Sequence, residues 1–257
     1  YGDALRVAQK KGYAEVDPTN DVAGYDAARK LAILASIGFH ANVTFDDVLV
    51  EGIEKISQND VQYASEMGYT IKLLAVALRQ ENGIALNVYP AFVPRSHPLA
   101  SVKGSYNAIY VTGNIVDDVM FYGRGAGSLP TASAVMGDVI STAKHIMNHS
   151  TGTGMMLTET KRIPFYSSLK LENSYYFRLI VDDVTGVLSQ IASAYADNDI
   201  SIKEVVQKSR IEDAAELMII TEKTPRENII HVEKALQVLP CMRQVANIIL
   251  VLEDDRK

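Results

Sequence analysis

At 257 residues, 47% of them hydrophobic and 22% charged, the chain has an ordinary globular composition and exceeds the roughly 100 to 200 residues typical of one domain. Two domains, each able to bury a core, are expected; a disordered chain, a fibre and a single small domain are excluded. With 25 Lys plus Arg against 31 Asp plus Glu, a net charge of −6, the chain offers no counterion-releasing basic patch, so nucleic acid is not expected as a partner.

In chain order, residues 3–11 read as a helix stopped at Gly12, followed by a turn at Asp17-Pro18. Ala23, Ala27, Leu31, Leu34 and Ala35 recur at helical spacing and predict one helix from Val22 to Ile37, capped by Asp21 and ended at Gly38. A short helix near Asp60–Met67 gives way to strands at Thr70–Leu78, Ile84–Val93, Tyr106–Thr112 and Val116–Tyr122. Turn residues Glu81-Asn82-Gly83 and Gly113-Asn114 pair these into antiparallel hairpins, forming a sheet packed on the earlier helices. One long helix over 129–148 opens with Pro130 in its first turn, and a linker follows. From residue 172 the order is strand 175–181, helix 186–196, strand 201–207, strand 215–221, helix 225–238 and strand 244–252. That is βαββαβ, the ferredoxin-like arrangement.

Cys241 is the single cysteine and no leader-like segment opens the chain, so a reducing, cytoplasmic setting is expected. Apolar runs such as Leu73–Leu78 fall far short of the roughly 20 residues that span a bilayer, so no membrane partner is expected. The chain begins Tyr1-Gly2 without Met, which reads as a fragment start.

The segment over residues 12–30 is the richest in chemistry. It sets Glu15, Asp21, Asp26 and Lys30 around a turn and the start of a helix. Asp26 and Lys30, at i and i+4, share one helical face, where they are either a plain exposed ion pair or an acid/base lysine held by a carboxylate. Spacing leaves both readings open. The segment also fills every fixed position of a signature: Ala8, Gly12-Tyr13, Asp17-Pro18, Asp21, Gly24, Asp26 and Lys30. Further matches are Ile71 to Ala75, Val93-Pro94, His97 to Ala100, Asn107 to Ile109, Tyr122 to Gly127 and Pro130 to Val135. With these residues the first 150 positions resemble homoserine dehydrogenase. The departures are Asn114, where Asp is usual, and Asp117, at a position commonly glycine.

This resemblance implies NAD(P)-dependent hydride transfer between homoserine and aspartate 4-semialdehyde, in threonine, methionine and isoleucine biosynthesis. By motif position Lys30 would be the acid/base and Asp26 its orienting partner. Glu15 and Asp21 would fix the substrate's amino end, and Tyr13 would line the pocket. Gly125, Ala126 and Gly127 would lie beside the nicotinamide. Gly123 to Ser128 is not by itself a dinucleotide fingerprint, because the third glycine of G-x-G-x-x-G is Ser128 and no strand completes a βαβ unit. The cofactor would therefore be bound mainly by a domain absent from this chain, and the chain alone is expected to be inactive.

His145 and His149 share a helix face but have no third ligand nearby, so no metal site is expected; His97 reads as a turn residue and Cys241 as packing. In the βαββαβ unit, Val181 to Leu188 and Ala196 to Ile202 resemble an ACT domain, with Thr185-Gly186 where Pro-Gly is usual. That resemblance implies an amino-acid effector, threonine by analogy, held by Asp183, Gly186, Val187, Leu188 and Ser201.

The expected architecture is α+β: a helix-covered, mostly antiparallel substrate domain over 1–150, a linker over 151–171 and an ACT regulatory domain over 172–257, assembled as a homodimer or higher homo-oligomer. The alternative is a stand-alone amino-acid-binding or dimerisation module without catalysis.

Overall fold

A computed structural model describes residues 6–7, 9–10, 17–150, 163–211 and 213–253. The helix expected over 3–11 lies mostly outside these residues, with helical backbone at 6–7 and 9–10.

The single helix expected from Val22 to Ile37 is two: α1, Thr19–Val22, and α2, Tyr25–Phe39. Gly24 separates them at φ +82°, in a left-handed conformation that glycine adopts freely. Asp21 therefore sits inside α1 instead of capping a helix. Pro18 holds the N-cap position, and Asp17 before it accepts through Oδ1 from the Thr19 N–H at 3.0 Å and hydroxyl at 2.6 Å. α2 runs through Gly38 and stops at His40, which takes φ +53°. Its buried face is Ala28, Leu31, Ala32 and Ala35, packed on Ile84, Leu86 and Val88, while Leu34 points outward.

β1, Leu49–Val50, leads to α3, Gln58–Glu66, whose start is a capping box between Ser57 and Asp60. β2, Tyr69–Gln80, and β3, Gly83–Pro94, pair along their full length as a hairpin. β3 is buried on both faces, and both its edges are paired, one by β2 and the other by β1 and, further along, β10. β4, Tyr106–Gly113, and β5, Asp117–Arg124, stand apart as a two-stranded ribbon. Asp117 closes its turn at φ +56°, a left-handed position that glycine adopts more freely. α4, Ser128–Met147, buries no residue.

The second half of the chain supplies β6, Glu172–Asp182, α5, Val187–Ala196, β7, Ile202–Ile211, β8, Ala214–Thr221, β9, Thr224–Pro225, α6, Arg226–Gln237, and β10, Met242–Val251. The strand order β10-β6-β8-β7 is that of a ferredoxin-like βαββαβ unit. This order does not close on itself. β10 pairs in parallel with β3 (Leu250 opposite Ala91, Val251 opposite Phe92), so both halves of the chain share one eight-stranded, mainly antiparallel sheet. On one face α5 and α6 bury Ile191, Tyr195, Val232 and Leu236 against Phe177, Leu179, Leu217 and Ile219. On the other, α3 covers Phe92, Tyr176, Met218 and Ile249. The result is the α+β class expected. Among the described residues, no helix is long and apolar enough to cross a membrane.

Candidate active site

The α1–α2 turn is held from beneath. A Cβ on Gly24 would meet Val88 Cγ1 at 3.1 Å and Val50 Cγ1 at 3.3 Å, and one on Gly52 would lie 2.4 Å from the Val22 carbonyl oxygen. Two hydrogen bonds complete the support: Ile53 N–H to Val22 O at 2.9 Å, and Glu51 N–H to Val88 O at 2.8 Å. α2 is thus launched from a fixed point on β1 and β3, and its first turns present Asp26 and Lys30 outward. Lys30 Nζ donates to Asp26 Oδ2 at 2.6 Å, with the side chains 58% and 45% exposed. Arg29, beside this pair, is held by Asn20 Oδ1 at 3.0 Å and by the Phe45 ring, 5.4 Å from its guanidinium carbon. Asp21, exposed in α1, lies a few residues upstream. Glu15 and Tyr13 fall outside the described residues.

An exposed ion pair of this kind can bind a zwitterion's charged ends or exchange a proton with a substrate oxygen. For stability it is worth only about 0.3–0.5 kcal/mol.

Gly125, Ala126 and Gly127 form the passage from β5 into α4, with both glycines exposed. The Asn107 amide occupies the space a Cβ on Gly125 would need, 1.9 Å from Nδ2. Arg124 braces the same loop by donating to Ser105 Oγ at 2.9 Å and stacking over Tyr106 at 4.9 Å. The loop thus presents bare backbone to solvent at the foot of α4, whose Val135, Met136, Val139 and Ile140 are each at least half exposed.

In the second half, Asp183, Gly186, Val187 and Leu188 gather at the turn from β6 into α5, with Gly186 at φ +90° as the N-terminal cap. The Val187 side chain is buried, so only its backbone faces this turn. Ser201 is not brought to them. β6 and β7 both run antiparallel to β8, so the end of β6 and the start of β7 lie at opposite ends of the sheet.

His97 caps a short 3₁₀ turn, its Nδ1 accepting from the Leu99 N–H at 3.2 Å. His145 Nδ1 lies 3.0 Å from Ser150 Oγ. Cys241 is buried beside Gln190. Among the described residues no group of three or more His, Cys, Asp or Glu could hold a metal ion. One charged cluster went unread in the sequence: Arg178, buried with Asp60 and Glu216. Its signal was an arginine interrupting the apolar run from Tyr175 to Val181.

The homoserine dehydrogenase family model matches residues 1–140. The chain is 39% identical over 259 residues to homoserine dehydrogenase of Corynebacterium glutamicum, covering 99% of this chain and 58% of that one. It is 41% identical over 261 residues to that of Mycobacterium tuberculosis, covering 97% and 58%. Among solved structures, homoserine dehydrogenase from Thiobacillus denitrificans superposes with a TM-score of 0.90 at 35% identity, over 98% of this chain and 58% of that one. The chain therefore spans about 58% of the length of the curated relatives it matches. A family match over more than half the chain, joined to a fold that agrees across nearly all of it, places this chain in the homoserine dehydrogenase family.

Proposed function

We propose that this chain is the substrate-side part of an NAD(P)-dependent homoserine dehydrogenase, which interconverts homoserine and aspartate 4-semialdehyde. The observation that carries the reading is the Lys30–Asp26 pair, held on a fixed helix start and open to an incoming substrate. In the oxidising direction Lys30 takes the proton of the substrate hydroxyl as the carbonyl forms; in reverse it returns a proton to the alkoxide oxygen. Asp26 orients the amine. Asp21 and Glu15 bind the substrate ammonium, and Tyr13 lines the pocket.

A bound nicotinamide supplies the two-electron acceptor. The bare backbone of Gly125 to Gly127 suits close approach of a flat ring, but the strand–turn–helix–strand run from β6 through Gly186 and α5 to β7 carries a single glycine and not the G-x-G-x-x-G turn that cradles a pyrophosphate. The cofactor's main binding site is therefore assigned to a separate domain, against which α4 packs its apolar face.

We assign residues 1–150 to the substrate domain, 151–171 to a linker and 172–257 to an ACT regulatory domain that takes threonine at the β6–α5 turn, through Asp183 and the backbone at Gly186 to Leu188. Assembly is as a homodimer or higher oligomer in the cytoplasm. The test is NAD(P)-dependent homoserine oxidation. A polypeptide extended to the full length of the relatives should turn over and the 257-residue chain should not. Turnover by the chain alone, or none by the extended protein, contradicts the proposal.

A further inference from the structure

Arg178 projects from the middle of β6 into the layer between the sheet and α3. Its Nε donates to Asp60 Oδ1 at 2.7 Å, Nη1 to Glu216 Oε1 at 3.2 Å and Nη2 to Ser57 Oγ at 3.1 Å. Asp60 Oδ2 also accepts from the Ser57 N–H at 2.9 Å and from Asn247 Nδ2 at 2.9 Å. Glu216 Oε2 takes the Tyr63 hydroxyl at 2.5 Å. One guanidinium and two carboxylates are thus sealed from water, with α3, β6, β8 and β10 each supplying a member.

Such clusters are poor sources of net stability, because desolvation offsets much of the attraction. What they impose is geometry. The surrounding apolar contacts, Ala64, Tyr63 and Met67 over Phe92 and Met218, tolerate small sliding, whereas a multiply bonded guanidinium does not.

The position of α3 is in turn passed on. One turn beyond Glu66 the chain enters β2 at Tyr69. Arg95, just past β3, donates to Ser65 O at 2.8 Å and Ser65 Oγ at 2.7 Å, tying the end of α3 to the end of the hairpin. That same hairpin carries α2, whose buried face packs on Ile84, Leu86 and Val88 in the half of β3 nearer the turn.

We propose that the Arg178–Asp60–Glu216 cluster is a coupling joint that makes the position of α3, and through it the β2–β3 hairpin, follow any shift of β6 against β8. The βαββαβ unit cannot change shape without moving the first half of the chain. The joint is independent of which ligand, if any, drives that shift.

Amide hydrogen exchange on the full 257-residue chain tests it. In Arg178→Met, amides of α3 and the start of β2 should accelerate roughly a hundredfold more than those of β8, whose own acceleration reports the loss of global stability. If Arg178→Met does not fold, Asp60→Asn keeps the side-chain shape and should give the same pattern at roughly tenfold. Unchanged α3 exchange overturns the proposal. So does equal acceleration of α3 and β8, which would make the cluster a general stabiliser and not a joint.

Discussion

Two ion pairs on the same sheet face opposite demands. Lys30–Asp26 is short, at 2.6 Å, yet about half exposed, while Arg178–Asp60, at 2.7 Å, is sealed. Distance alone makes them equivalents. Water makes them different: the exposed pair contributes little to folding and stays free to meet a substrate, whereas the sealed pair cannot exchange partners and fixes how the chain's two halves meet.

The largest effect expected on the chain itself is at the sealed pair. Arg178→Met leaves two buried carboxylates uncompensated and should cost about 3–5 kcal/mol in urea unfolding. Acid should probe the same contrast. Burial pushes the Asp60 carboxyl up, but hydrogen bonds from Arg178, Asn247 and Ser57 outweigh it and hold the group below its ordinary 3.8. A depressed carboxyl contributes stability that is fully present above its unfolded value and is lost as pH falls through the folded one. The gap in unfolding free energy between wild type and Asp60→Asn should therefore be flat from about pH 8 to pH 5 and shrink below about pH 4. A gap that widens in acid would contradict the assignment.

Next in size is the support beneath the exposed pair. Gly24→Ala places a side chain at φ +82° and 3.1 Å from a Val88 methyl, and should cost about 1–2 kcal/mol by thermal unfolding. The smallest effect belongs to the exposed pair: Asp26→Asn should change folding stability by about 0.3–0.5 kcal/mol, measured by the same method. A loss of several kcal/mol there would erase the distinction between the two pairs.

The sequence exposes these regions unequally for physical reasons. Strands and helices of the βαββαβ unit were legible because each is a local run of apolar residues between turn formers, and the Asp26–Lys30 relation because i and i+4 is local too. The break at Gly24 was hidden, since apolar spacing continues across it and only the close approach of Val50 and Val88 shows why glycine is needed. Asp21 reads as a cap only while the helix is taken to start at Val22; the start at Thr19 puts it inside α1. The joining of β10 to β3 and the bond from Arg178 to Asp60, 118 residues apart, depend on contacts between distant segments that no local pattern encodes. Ser201 was grouped with Asp183 through motif order, whereas strand direction sets them at opposite ends of the sheet.

The most direct test of the division between the two pairs is chemical rescue of Lys30→Ala in a polypeptide of the relatives' full length. Homoserine oxidation should fall about 10²–10⁴-fold with the unfolding midpoint unchanged, and added small primary amines should restore part of it in proportion to their concentration. Wild-type turnover in Lys30→Ala, or a loss that tracks unfolding and ignores added amine, would contradict the account.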